Sequence, residues 1–385
     1  MGHYANIALI CALMGKLGPD RPLQDALIRQ GLVRSLSRSA SSSIYAENTL
    51  MFNGCIHIIG GCILRTPGPR VSAEAIGNGL LDAILKYAWT PSAHRNAITD
   101  LVATLTRALV YFSVLSQLQV SIERLDGQLN ADTFKDTPFS AAWEDFWHVT
   151  EERLDLMNSY RTKSFPLLRA CDNVECGTIG NKSEFRRCSG CRTSNYCSAA
   201  CQARHWRHGG HRDSCTFMRA SQGILSTRDR SFLRLLLHAY YLQYQNDILH
   251  EYLKFWRHFP DDEIILDVDL SRGDGPFHLS FMATEDLAKK WPRGADYVAH
   301  AGNSGGRMQL HVLRVAFGNE THEWLFPLRS ATSEIFDGVR QIALEPRDVE
   351  GEDAEEDDRQ RIQGLIDLQV LETHNTGFWI CSESL

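Results

Sequence analysis

The chain has 385 residues, 43% of them hydrophobic and 23% charged, and carries a formal net charge of -7. This balance excludes wholesale disorder and a coiled coil, and offers no global attraction to nucleic acid or to an anionic membrane. A chain of this length buries ample apolar surface and is expected to divide into two or three domains.

The N-terminal MGHYANIALICALMGKLG is apolar but has no Lys or Arg ahead of its apolar run and no small-residue cleavage site, so it does not read as a signal peptide. Asn6 stands where a myristoylation signal has Ser or Thr. From about Asp20 to Tyr160, the stretches QDALIRQGLVRSLSR, AIGNGLLDAILKYA, HRNAITDLVATLTRALVYFSVL and FSAAWEDFWHVTEERLDLM repeat apolar residues at helical spacing. Breakers such as SRSASSS, RTPGPR and WTPSAH separate them. Short amphipathic helices divided by turns predict an α-helical domain over residues 1–165, as an irregular solenoid or as a plain bundle. LVATLTRALVYFSVLSQLQV, from Leu101, is long enough to span a bilayer but carries Arg107, and reads as a buried helix.

Seven of the eleven cysteines fall between Cys171 and Cys215, while Cys11, Cys55, Cys62 and Cys381 are scattered among apolar residues. An odd total with one dense cluster is a poor disulfide framework and favours a reducing compartment. In CDNVECGTIGNKSEFRRCSGCRTSNYCSAACQARHWRHGGHRDSC, four close pairs stand out: Cys171 with Cys176, Cys188 with Cys191, Cys197 with Cys201, and His211 with Cys215. A zinc ion takes four donors at about 2.0–2.3 Å in a tetrahedron, and a short loop or one helical turn brings two donors together at little entropic cost. Eight donors in four pairs serve two ions. Both sites can be closed by protein ligands, one by four cysteines and one by three cysteines and a histidine, which marks structural and not catalytic zinc. A redox CxxC needs one pair and leaves the other cysteines, His211 and Trp206 unexplained.

The paired cysteines, Tyr196-Cys197-Ser198, Cys201-Gln202, Trp206 and His211-x3-Cys215 resemble a MYND-type zinc finger. The resemblance covers about 45 residues and implies that the pairs interleave. One site would then take Cys171, Cys176, Cys197 and Cys201, and the other Cys188, Cys191, His211 and Cys215. Two departures stand out. The first pair is C-x4-C where C-x2-C is commoner, and Trp206-x2-His208 and His211-x3-Cys215 use different histidines. His211 is preferred because its spacing to Cys215 sets the local loop and Gly209-Gly210 absorbs an insertion; His208 and, one turn after Cys201, His205 remain alternatives. The resemblance also implies a protein-interaction platform that takes short proline-containing peptides on a shallow groove beside Gln202 and Trp206. Alternatively, Trp206 packs over a finger too small to have any other core. Lys182, Arg186, Arg187, Arg192, Arg204, Arg207, Arg212 and Arg219 outnumber Asp172, Glu175, Glu184 and Asp213, but the excess offsets the thiolate charge and no base-reading pattern accompanies it.

Beyond the finger, Ser231 to Trp256 predicts one helix whose buried stripe begins Phe232, Leu235, Leu236, Ala239, Tyr240. Past Pro260 the period becomes two. In EIILDVDL, Ile264, Leu266, Val268 and Leu270 face one way and Glu263, Asp267 and Asp269 the other; PFHLSFMA returns, and MQLHVLRVAF and THEWLFPL form a second hairpin of an antiparallel sheet. Asp267, Asp269, His278, His311 and His322 could form a carboxylate–histidine metal site, but strand alternation accounts for them as polar faces. EDAEEDD, Glu352 to Asp358, reads as a solvated loop, with the helical RIQGLIDLQVLE after it. A SET-type methyltransferase, in which MYND fingers also occur, would show an Asn-His element, and no Asn-His pair exists here.

The expected architecture is mainly α with a small zinc-binding module: an α-helical domain at 1–165, a MYND-like finger at 171–215, and a helix plus antiparallel-sheet α+β domain at 216–385. The expected function is a non-catalytic scaffold or adaptor holding two structural Zn2+ and binding proteins or peptides, without membrane contact, in cytoplasm or nucleus. A transcription-related nucleic-acid or chromatin-associated regulator is the alternative, with a SET-type methyltransferase behind it. A deep pocket of convergent polar groups in the C-terminal domain would favour an enzyme.

Overall fold

A computed structural model describes residues 21–42, 49–87, 95–162, 168–220, 225–260, 263–272, 278–291, 294–346, 352–373 and 380–381. The N-terminal segment weighed as a signal, with Cys11, lies outside these residues. The first part is helical: α1 (Arg21–Arg29), α2 (Leu32–Ser41), α3 (Thr49–Arg65), α4 (Arg70–Gly77), α5 (Leu80–Tyr87), α6 (Arg95–Ala108), α7 (Phe112–Arg124) and α8 (Ser140–Thr162). The periodic stretches are helical as expected, but three of the four are broken. The first divides at Gly31, whose φ of 88° is open to glycine and strained for other residues. The second divides at Asn78-Gly79. The run expected as one buried helix from Leu101 divides at Leu109–Tyr111, where the part-buried amide of Ser113, in the first turn of α7, finds an acceptor in the buried carboxylate of Asp229 at 2.9 Å. No described helix is long and apolar enough to cross a membrane. Helix α3 was not expected; it is apolar around much of its girth and buries Phe52, Cys55, Ile59 and Cys62, so it lacks the amphipathic stripe that reveals its neighbours.

The cysteine-rich segment forms two small hairpins and two helices: β1 (Leu168–Ala170) with β2 (Ile179–Asn181), β3 (Arg186–Arg187) with β4 (Asn195–Tyr196), then α9 (Ala199–His208) and α10 (His211–Ala220). The single helix expected from Ser231 to Trp256 is two, α11 (Thr227–Gln243) and α12 (Gln245–His258), separated at Tyr244.

Strands β5 (Ile264–Asp269) and β6 (His278–Ala283) pair antiparallel, as do β7 (Met308–Phe317) and β8 (Glu320–Arg329). The sheet is nevertheless mixed, not antiparallel. Its order is β6-β5-β7-β8-β9, with β9 at Ile380–Cys381, and β5 runs parallel to β7. The chain leaves β6 through α13 (Thr284–Lys290) and α14 (Gly294–Gly302), and this helical crossover returns it in the direction of β5.

One apolar core unites helices and sheet. It includes Ile28, Phe112, Phe232, Leu266, Val315 and Ile366, and the hydroxyl of Tyr111 donates across it to the carbonyl of Ala316 at 2.7 Å. The other face of the sheet, with Ile265, Leu310, Val312 and Leu325, packs a second core against α13, α14 and Val174 of the finger. Strand β5 is therefore covered on both faces, and Asp267 is buried in a pair with Arg314, not solvated as alternation predicts.

The acidic run is helical and not the solvated loop expected: α16 (Glu352–Thr373) begins within it, after α15 (Glu334–Leu344). Asp358 is buried and takes both terminal nitrogens of Arg257 on α12, at 2.5 and 2.6 Å, while Glu355 lies 3.8 Å from Lys254. Basic partners on α12 thus turn a solvated segment into a docked helix.

Candidate metal centre

Local backbone geometry sets each cysteine pair. The amide of Cys171 donates to the Thr178 carbonyl at 3.0 Å, and that of Cys176 to the Asn173 carbonyl at 2.8 Å, which closes the longer first knuckle without displacing either thiol. In the second knuckle Cys188 donates to the Ser194 carbonyl, Arg192 donates back to Cys188, and Arg192 takes the left-handed φ of 60° that the reversal requires. Gly190 sits there because a Cβ would come 2.8 Å from the Cys215 sulfur. Ser198 caps α9 by accepting from the Cys201 amide at 3.1 Å, so the helix starts just past Cys197 and holds Cys201 in its first turn, close to the Cys197 sulfur.

These pairs converge on two centres, Cys171, Cys176, Cys197, Cys201 and Cys188, Cys191, His211, Cys215, with the ligand atoms of each within 4.8 Å of one another. Sulfurs at about 2.3 Å from a tetrahedral zinc stand about 3.8 Å apart. The structure gives Cys176–Cys197 at 3.6 Å, Cys197–Cys201 at 3.5 Å and Cys188–Cys215 at 3.8 Å. His211 presents Nε2 at 3.3 Å from the Cys188 sulfur and 3.7 Å from that of Cys191. Donor chemistry and spacing both fit two zinc ions, and the pairs interleave. Cys55, Cys62 and the seven finger cysteines carry no disulfide.

The three histidines separate cleanly. His211 is fully buried in the second centre, and its Nδ1 lies 3.4 Å from the Ser194 hydroxyl, a contact that fixes the ring. His205 is buried but turned away, with Nδ1 3.0 Å from the Tyr196 hydroxyl and its ring stacked on His300 of α14 at 5.2 Å. His208 is exposed. Trp206 is 40% exposed and sets its ring edge-on to His211 at 5.7 Å, so it both covers a ligand and faces solvent; Gln202, on the same helix, is half-buried.

Without metal the thiols compete for protons. Burial raises the thiol of Cys171; burial, then the Cys188 hydrogen bond, holds Cys215 up at about 12. Burial also opposes ionisation of Cys191, but hydrogen bonds from His211 and Thr193 outweigh it and bring the thiol down to about 5. His211 is penalised by burial and raised by the neighbouring Cys191 and Cys188.

The strand residues Asp267, Asp269, His278, His311 and His322 do not converge. Asp267 pairs with Arg314, Asp269 accepts from Ser271, His311 is buried against Tyr241, and His322 packs between Phe317 and Trp324.

A cleft of about 460 Å³ separates α9 and α10 from α14 and the sheet. The stacked His205 and His300 lie in it, kept neutral first by burial and held down to about 3 and about 4. Its lining has no Cys, and the Ser214 hydroxyl bonds to the Gly210 and His211 carbonyls. Composition alone did not reveal it, since its walls come from distant segments.

Residues 171–215 match the MYND finger family. The chain is 48% identical over 50 residues to an F-box protein (At5g50450) of Arabidopsis thaliana, covering 13% of this chain and 15% of that one. It is 54% identical over 41 residues to a second F-box protein (At1g67340) of the same plant, covering 10% and 11%. The chain therefore spans only a small part of the length of these relatives. No solved structure matches the chain. The segment is a zinc-binding MYND finger, a class of module that mediates protein interaction; the likeness extends to that module alone.

Proposed function

We propose that the chain is a non-catalytic, zinc-dependent scaffold or adaptor of the cytoplasm or nucleus, which takes short proline-containing peptides on the face of α9 that carries Gln202 and Trp206. The observation that supports it is the pairing of two closed four-ligand centres with a large aromatic left 40% exposed directly over one of them. Closed zinc sites leave no coordination position for water, so they organise a surface and do not activate a nucleophile. Trp206 offers a flat apolar platform for proline, and Gln202 a donor and an acceptor for a peptide backbone.

Titration of a labelled proline-containing peptide against the zinc-loaded chain tests this. Trp206→Ala should weaken binding by about tenfold or more, as loss of an aromatic anchor does. In parallel, mass spectrometry of proteins captured by wild type and by Cys188→Ser should show partners lost with the second centre; identical partner sets would move the interaction to the flanking domains.

A further inference from the structure

The cleft beside the finger has a character of its own. Four carboxylates line it, Asp172, Glu175, Asp213 and Asp296, against the two guanidinium groups of Arg204 and Arg329, an excess of two negative charges (4 − 2). The cations are engaged: Arg204 pairs with Glu175 at 3.0 Å, and Arg329 donates to the carbonyls of Val174 and Cys176. Asp213 and Asp296 are exposed on the two sides of the mouth, one in the first turn of α10 and the other in the first turn of α14. The start of α10 would favour an anion, but Asp213 already answers that dipole from within the same turn.

Apolar surface lies inside the acidic rim, beside the buried Asp172, His205 and Arg329. Met218 and Met308 form this surface, suited to the methylene stem of a long basic side chain whose head stays at the rim. Arg329 adds a second demand. It is 2% exposed, lines the same cleft, and its Nε has no hydrogen-bond acceptor among the described residues. A peptide carbonyl entering beside the basic side chain would supply one.

We propose that this cleft, formed jointly by the finger and the C-terminal sheet, receives a lysine or arginine side chain of a partner polypeptide. The proposal rests on the adaptor reading and adds a second, charge-selective contact, distinct from the Gln202–Trp206 face.

The test is fluorescence anisotropy with labelled seven-residue peptides of Gly, Pro and Leu that carry one central Lys, Arg, norleucine or Glu. Lys and Arg peptides should bind more tightly than norleucine, and Glu most weakly. Asp296→Asn and Asp213→Asn should each reduce the preference for Lys over norleucine by about fivefold, and the preference should shrink on raising salt. Asp296 lies outside the finger, so its variant leaves the zinc ligands untouched; two zinc ions per chain and unchanged melting verify that the fold is intact. Trp206→Ala should lower all affinities and leave the Lys preference in place. Equal binding of Lys and norleucine peptides, no binding of any, or an undiminished preference in Asp296→Asn overturns the cleft. Charge-blind binding that Trp206→Ala abolishes would overturn it while leaving the adaptor reading standing.

Discussion

Arg329 on β8 donates from Nη2 to the backbone carbonyl of Cys176 at 3.3 Å, so a strand of the C-terminal sheet holds the knuckle that supplies a zinc ligand. The same nitrogen reaches the Val174 carbonyl, which Arg307 also contacts at 3.2 Å. Replacing Arg329 with Met keeps the stem and removes the donors. Urea denaturation should show a loss of about 2–3 kcal/mol, as for buried hydrogen bonds from a charged group, with zinc content still two per chain. A loss below about 0.5 kcal/mol would mean that apolar packing alone docks the finger.

Zinc removal should act locally first. The finger's own core is small, built on Phe185, Tyr196, Met218 and the ligand cysteines, and cannot hold its hairpins without metal. Chelation should open residues 171–215 to protease, and added zinc should close them again. Elemental analysis should find one zinc ion per chain in His211→Ala and two in His208→Ala and His205→Ala. His205→Ala should still lose about 1 kcal/mol through its Tyr196 contact. Two ions in His211→Ala would sink the ligand assignment.

Zinc affinity should rise with pH. The Cys171 and Cys215 thiols are raised above their ordinary value, so in the metal-free chain they keep their protons at neutral pH and must release them to become ligands. His211, raised by neighbouring thiolates, must likewise be neutral to ligate. Each proton released makes the apparent affinity about tenfold weaker per pH unit of acidification, so the slope of log affinity against pH should exceed one near pH 7. A competition titration with a chromogenic chelator from about pH 6 to 8 measures it, and a flat profile would show the thiols already ionised.

Asp358→Ala should detach α16. The carboxylate is buried and bidentate to Arg257, and its removal leaves a half-buried guanidinium without that partner, a loss of about 3 kcal/mol. Circular dichroism at the same pH should show lost helix before global melting. An unchanged Tm would place the hold on α16 in Ile362 and Ile366 instead.

The ligands were readable because every pair is local: a knuckle or one helical turn fixes each from adjacent residues. Interleaving of the pairs followed from the family resemblance and is what the distances show. Helical periodicity was readable too, but not the breaks, because the acceptor at the break between α6 and α7 is Asp229, far along the chain. The parallel pairing of β5 with β7 depends on where a crossover lands, and the docking of Glu352–Asp358 depends on Lys254 and Arg257; neither leaves a local trace. The cleft needs His205 and His300 face to face, a meeting that no spacing rule encodes.

Val174, between Cys171 and Cys176, points its side chain into the core beneath the sheet, among Ile265, Leu310 and Leu325. The loop that gathers metal is thus also a plug in a neighbouring hydrophobic layer. Grafted onto another protein, this finger would carry its zinc along but strand an apolar residue in water, so its portability ends where Val174 begins.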